Sequence, residues 1–232
     1  MTRIVAVANQ QAGVGKTSTV LELGAALAAL GRQVLLVDLD AQARLTRALG
    51  VDPEVLSVSV HDVLMRGVRA VDAMTDTDSL MDVLPATIDL AADEAALLTR
   101  PGRETLLRAA LADVVDEYDW VLIDCGPTLG IITMNALSLA TDVIVPVVGE
   151  TFSARALRQF VAVLDDVRRF VNPQVHVHGV LPVMHTPGDP RDAAMVREVT
   201  EGRGLPVMEP IAFGAQAKSA YRTLAEALLR EQ

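Results

Sequence analysis

The chain has 232 residues, 51% of them hydrophobic, one cysteine and a formal net charge of −10. That length supports one large domain with a substantial core, and a single cysteine excludes an internal disulfide and any two-cysteine metal motif. The acidic balance opposes a broad attraction to DNA, and 3% aromatic residues are too few for base-stacking platforms. There is no apolar run of about 18 residues, and the first strand comes too early for a signal peptide, so a cytoplasmic protein is expected.

The first element is an apolar strand, Ile4-Val5-Ala6-Val7-Ala8, followed by Asn9-Gln10-Gln11-Ala12-Gly13-Val14-Gly15-Lys16-Thr17-Ser18 and a helix from Thr19. Strand, Gly-rich turn and helix start together make a phosphate site, because backbone N–H groups and the positive end of the helix dipole converge there. Lys16 adds charge for the β- and γ-phosphates, and the Thr17 hydroxyl is a ligand for Mg²⁺. The usual P-loop spacing places Gly where this chain has Gln10. A dinucleotide fingerprint is the weaker alternative, since Ser18 stands where its third Gly belongs. An ordinary tight turn is the bland one, and it does not explain Lys-Thr at that offset.

Gly31 ends the helix, and Val34-Leu35-Leu36-Val37 reads as a strand buried on both faces. It leads into Asp38-Leu39-Asp40, whose two carboxylates fall on one side of the chain, at the strand end that carries the ligand crevice in a parallel sheet. Against this stands a structural reading, an acidic strand end feeding a helix with Asp40 as its N-cap. Helices are expected over 41–49, 60–65, 91–98 and 103–115, and a strand over 80–85, all as packing surfaces.

Trp120-Val121-Leu122-Ile123-Asp124 is a second informative strand. Its terminal Asp and the following Cys125-Gly126-Pro127-Thr128-Leu129-Gly130 have the form of a Walker B carboxylate and a mobile loop that senses the γ-phosphate. Cys125 reads as a small buried filler. Strands over 142–148, 175–181 and 205–211 then alternate with helices over 154–171, 192–200 and 215–229. The pattern gives a single α/β domain, 1–232, with a mainly parallel, doubly wound sheet. His176 and His178 share a strand face, where a metal site is conceivable and hydrogen-bonded imidazoles are the commoner outcome.

Taken together these blocks resemble the ParA/MinD family of P-loop ATPases, in particular its short Soj-like ParA members. The match rests on the loop from Ala8 to Thr17, Val37 to Gln42, Tyr118 to Gly130, Val143 to Val147, and Ala220 to Ala225. The resemblance implies a switch that binds ATP or ADP with Mg²⁺ and forms an ATP-dependent homodimer. It also implies a ParB-like stimulating partner, non-specific DNA binding with nucleoid association, and a role in chromosome or plasmid partitioning or cargo positioning. By position it assigns phosphate contact to Lys16, Mg²⁺ to Thr17 with Asp40 and Asp124, the attacking water to Asp40, and base contact to Met184. Residues 12–18 form the nucleotide cradle.

Two departures from the family pattern follow. The signature Lys and the Gly after it are Gln11 and Ala12; Gln brings no charge to the partner's nucleotide, and Ala12 adds a Cβ where two loops meet in a dimer. The segment between Ile211 and Tyr221 is short, which leaves Lys218, Arg222 and Arg230 as candidate DNA contacts. The tail, with Leu224, Leu228 and Leu229 beside mixed charges, is not built for stable membrane association. Two functions are therefore carried forward: a ParA-like Mg²⁺-dependent ATPase switch, and a hydrolysis-impaired nucleotide-binding regulator acting through a protein partner.

Overall fold

The computed structural model describes residues 2–77, 79–214 and 216–231. From the N-terminus it forms β1 (Arg3–Val7), α1 (Lys16–Ala29), β2 (Val34–Leu39), α2 (Arg44–Ala48), α3 (Val60–Arg66) and α4 (Ala70–Ala73). Next come β3 (Thr75–Asp76), β4 (Asp82–Leu84), α5 (Leu90–Ala96), α6 (Leu106–Leu111), β5 (Trp120–Cys125) and α7 (Ile131–Leu139). The chain closes with β6 (Asp142–Val147), α8 (Ala154–Phe170), β7 (His176–Pro182), α9 (Pro190–Arg203) and α10 (Ala217–Arg230).

The strands form one sheet in the order β3-β4-β2-β5-β1-β6-β7. Among the described residues only the β3–β4 pair is antiparallel, so the α/β, doubly wound expectation holds. Central strands β2, β5 and β6 are buried along their whole length, which is why they read as continuous apolar runs. Alternate side chains still go to opposite faces. Val5 and Val7 meet α1, α2 and α10 through Leu23, Leu27, Leu45 and Leu224. Ile4 and Ala6 face the other layer, where α3 and α5 to α9 supply residues such as Leu107, Phe160 and Val199. Gly24 lets α1 sit close to the sheet, since a Cβ there would lie 2.9 Å from Leu36 Cδ2. No helix among the described residues is long and apolar enough to cross a membrane.

Three expected elements differ. Residues 205–211 run beside β7 but make only one isolated bridge, Val180↔Val207, with a second just beyond both segments, His185↔Ala212. Pro206 and Pro210 on this segment and Pro182 at the end of β7 have no N–H to donate, so the ladder does not extend. The helix expected over 103–115 is broken into α6 and two 3₁₀ turns, with the side chain of Asn135 accepting from Leu107 N at 3.0 Å near its start. The strand expected over 80–85 shrinks to β4, because Leu80 takes a left-handed φ of 59°. The last helix was expected from Ala215, which lies outside the described residues.

Candidate nucleotide site

The loop between β1 and α1 is held open by its own backbone and by Asn9. Asn9 Nδ2 donates to Pro146 O at 2.7 Å, tying the loop to β6, and Asn9 Oδ1 accepts from Gln11 N at 3.0 Å. Gly13 and Gly15 both have left-handed φ, 74° and 77°, a conformation that costs an L side chain strain. At Gly15 a Cβ would also press to 3.2 Å from Val183 Cγ2. Gly15 caps α1 with no side-chain acceptor, and the first turn carries no acid, so its free N–H groups point into the loop. Lys16 is buried at that turn and donates from Nζ to Gln11 O at 2.7 Å. Burial lowers its pKa against the attraction of Asp124, Cys125 and Asp40.

Parallel pairing sets two carboxylates side by side: Asp38 is the register partner of Asp124, and Val7 at the root of the loop is another. Asp38 is fully used. It accepts from Asp40 N at 3.0 Å, Thr46 N at 2.9 Å and Thr46 Oγ1 at 2.7 Å, so it shapes the β2–α2 turn and does not face a ligand. Burial raises its pKa to about 6, against those bonds. Asp40, 6% exposed, accepts from Gln42 N at 3.0 Å and lies 3.8 Å from Arg44 Nη1.

Asp124 is different. It is fully buried, and neither carboxylate oxygen has a hydrogen-bond partner among the described residues. Burial and the charge of Asp38 raise its pKa to about 8; the neighbouring Thr17 hydroxyl, outside hydrogen-bond geometry, and Lys16 only partly offset them. A buried carboxylate without a partner costs free energy that a hard cation would recover. With the Thr17 hydroxyl beside it and Asp40 close by, the donor set is all oxygen and fits Mg²⁺.

The remaining predicted residues are placed as follows. Ala12 and Gly13 are exposed on the loop, Ser18 is exposed in the first turn of α1, Val14 is buried beneath the loop, and Met184, 41% exposed with a left-handed φ of 54°, follows the Val183 that abuts Gly15. Gln11 does not extend outwards: its Nε2 donates to Thr151 O, holding the side chain against the loop after β6. Cys125 is buried, which pushes its thiol pKa up. Lys218, Arg222 and Arg230 lie along an exposed stripe of α10 that Glu226 interrupts by pairing with Arg222 at 3.2 Å.

Two contributors were missed. Asn9 sat inside the quoted loop, and its position ahead of Gln11 was the signal for a side-chain turn. Glu94 of α5 gave no signal: from 37 positions away it accepts from Ile131 N at 2.7 Å and caps α7, fixing the end of the 126–130 loop. At the other end of that loop, a Cβ on Gly126 would lie 3.4 Å from Leu39 O, so the loop runs directly over the β2 end that bears Asp40.

Comparison with known proteins agrees with this geometry. A family model described as an AAA domain matches residues 2–177. The sporulation initiation inhibitor protein Soj of Bacillus subtilis is 39% identical over 185 residues, covering 79% of this chain and 73% of Soj. The Mycobacterium tuberculosis protein Rv1708 is 38% identical over 211 residues, covering 90% of this chain; the chain spans 66% of that relative's length. A crystal structure of cobyrinic acid a,c-diamide synthase from Mycobacterium smegmatis, with bound ADP and magnesium, superposes with a TM-score of 0.96. It is 46% identical, with 100% of this chain and 95% of that chain covered. On its sequence, its sheet order and the loop geometry, the chain belongs to the ParA/MinD family of P-loop ATPases.

Proposed function

We propose that the chain is a Mg²⁺-dependent ATP-binding switch of the partitioning type, hydrolysing ATP slowly or under stimulation by a partner. The observation that carries this reading is the unpartnered carboxylate of Asp124, buried beside Lys16 and Thr17 beneath a loop of free N–H groups. Bound Mg²⁺ would neutralise charge developing on the phosphates. The chain's own residues do the rest. Lys16 exchanges Gln11 O for a phosphate oxygen, and Ala12 to Ser18 cradle the phosphates. Thr17 and Asp124, with Asp40, hold the metal, Asp40 orients the attacking water, and Met184 contacts the base.

The ATP-loaded state is the one expected to form a homodimer, engage a ParB-like stimulating protein and bind non-specific DNA through α10 for partitioning or cargo positioning. A second reading rests on Gln11, which is tied to Thr151 O and brings no charge: a nucleotide-binding regulator with impaired hydrolysis. The name of the Mycobacterium smegmatis structure adds an amide-forming synthase, whose ATP use would require a carboxylate co-substrate.

The deciding experiment is ATP turnover with and without Mg²⁺, on wild type and Asp40→Ala, with solution mass followed at saturating ATP. Mg²⁺-dependent turnover that needs no co-substrate, is lost in Asp40→Ala and accompanies dimers supports the switch. Tight nucleotide binding without turnover supports the regulator, and Gln11→Lys should then raise turnover at least about tenfold. Failure to bind Mg²⁺ and ATP at all removes both.

A further inference from the structure

At the N-terminal ends of the strands lies a second polar cluster. It is one strand length from the nucleotide loop, about 17 Å along β6 at about 3.3 Å per residue. Asp142 and His176 begin β6 and β7 and are register partners. Val143 pairs with Val177 but Ile144 with Gly179, so His178 is the extra residue of a bulge. Bulges re-aim a side chain. Here the result is that His176 Nε2 and His178 Nδ1 lie 3.3 and 3.4 Å from the same atom, Asp142 Oδ1. Charge-assisted hydrogen bonds are shorter, about 2.7–2.9 Å. A tetrahedron around a metal with bonds of about 2.0–2.1 Å has edges of about 3.4 Å.

The outer nitrogens of both rings face acceptors. His176 Nδ1 is 3.4 Å from Gln174 O, and His178 Nε2 is 3.5 Å from Glu231 Oε2. Donating those hydrogens leaves the inner nitrogens as lone pairs turned towards Asp142, the usual outer-contact pattern of metal-binding imidazoles. Asp142 itself accepts from Arg3 Nη2 at 3.1 Å and from Thr141 Oγ1 at 2.7 Å. Lone pairs aimed at a carboxylate need a cation between them. Arg3 supplies part of one, from Nη2 to Asp142 Oδ1 and to His178 Nδ1, both at 3.1 Å. Among the described residues it makes no bond to His176.

The geometry points to a binding site for one divalent metal ion of borderline character, Zn²⁺ or Co²⁺ in class, with Asp142, His176 and His178 as ligands. Imidazole donors favour such ions over Mg²⁺. The three donor atoms lie within 4.8 Å of one another, under a cavity of about 580 Å³ that leaves room for water or a further ligand. The ion takes His178 Nδ1 from Arg3, which keeps Asp142 Oδ2 at 3.2 Å and Leu228 O at 3.0 Å.

The test is a Co²⁺ titration of the nucleotide-free, chelator-treated chain, read by visible d–d absorption and reversed with Zn²⁺. One equivalent per chain is expected, with affinity reduced at least about tenfold in His176→Ala and in His178→Ala and retained in His61→Ala and Asp40→Ala. His176 is half-exposed, so its variant should keep the metal-free thermal midpoint of wild type. No saturable binding by wild type, or binding by His176→Ala equal to wild type, overturns the proposal. So does binding lost in Asp40→Ala and kept in both histidine variants, which would put the ion at the nucleotide loop.

Discussion

Two aspartates at opposite ends of the same sheet show how differently a fold can treat one buried charge. Asp124 and Asp142 are both almost wholly buried, at 0% and 5% exposure. Asp142 accepts two bonds from Arg3, at 3.1 and 3.2 Å, and one from Thr141 at 2.7 Å. Asp124 accepts none. Their pKa values move in opposite directions, Asp142 downwards and Asp124 up to about 8. Donors from the chain anchor Asp142 in the fold whether or not a metal shares it, whereas Asp124 is left open for a ligand.

The largest expected effect is at the satisfied end. Asp142→Asn leaves the Arg3 guanidinium, 14% exposed, with only the half-exposed Glu231 carboxylate at 3.7 Å as ion partner, and should cost about 3 kcal/mol in urea unfolding at pH 7. A carboxylate whose folded pKa is depressed stabilises above its unfolded value of about 3.9, and loses that contribution as pH falls through the folded value. The gap between wild type and variant should therefore narrow only below about pH 4. An unchanged stability at pH 7 would break the comparison.

The opposite sign is expected at Asp124. A carboxyl whose folded pKa is raised to about 8 loses stability as pH rises from about 4 through 8, because the folded state holds a proton that the unfolded state releases. Without nucleotide, Asp124→Asn should then be more stable than wild type by about 2 kcal/mol at pH 8, with the difference shrinking towards pH 5. The same variant should bind Mg²⁺ with nucleotide more weakly. A loss of stability at pH 8 would mean that the carboxylate has a partner in solution.

The two ends were unequally legible in the sequence. Around the nucleotide loop the signals are local: Gly13, Gly15 and Lys16 are neighbours, and Asp40 and Asp124 each come at or just after the end of a short, β-branched apolar run that reads as a buried strand. The sheet and its phosphate loop follow from that periodicity. The opposite end depends on pairings between distant positions. His176 and His178 could be placed on one face, but Asp142 as their shared neighbour required the β6–β7 register, and the bulge at His178 has no sequence mark. Asp38 shows the same limit. Its spacing from Asp40 suggested a ligand, whereas Thr46, eight residues on, takes up its carboxylate. Residues 205–211 had the right hydrophobicity for a strand, and the N–H groups missing at Pro206, Pro210 and, across from them, Pro182 of β7 keep the ladder from extending.

One helix touches both ends, and the smallest effect tests whether it connects them. In the last turns of α10, Leu228 O accepts from Arg3 Nη1 at 3.0 Å. Near its start, Tyr221 Oη shares a 2.9 Å hydrogen bond with Thr19 Oγ1 on α1, three residues after Lys16, and both groups are buried. Tyr221→Phe removes that bond and nothing else of size. Thr19 can turn its hydroxyl to a carbonyl of the preceding helical turn, so the cost should be about 1 kcal/mol, a fall of about 2–4 °C in thermal midpoint. If the two ends are independent, nucleotide affinity should stay within about twofold of wild type, which is less than 1 kcal/mol of coupling. A larger change in affinity at the same loss of stability would make α10 a mechanical link, since the only group removed lies outside the loop that holds the phosphates.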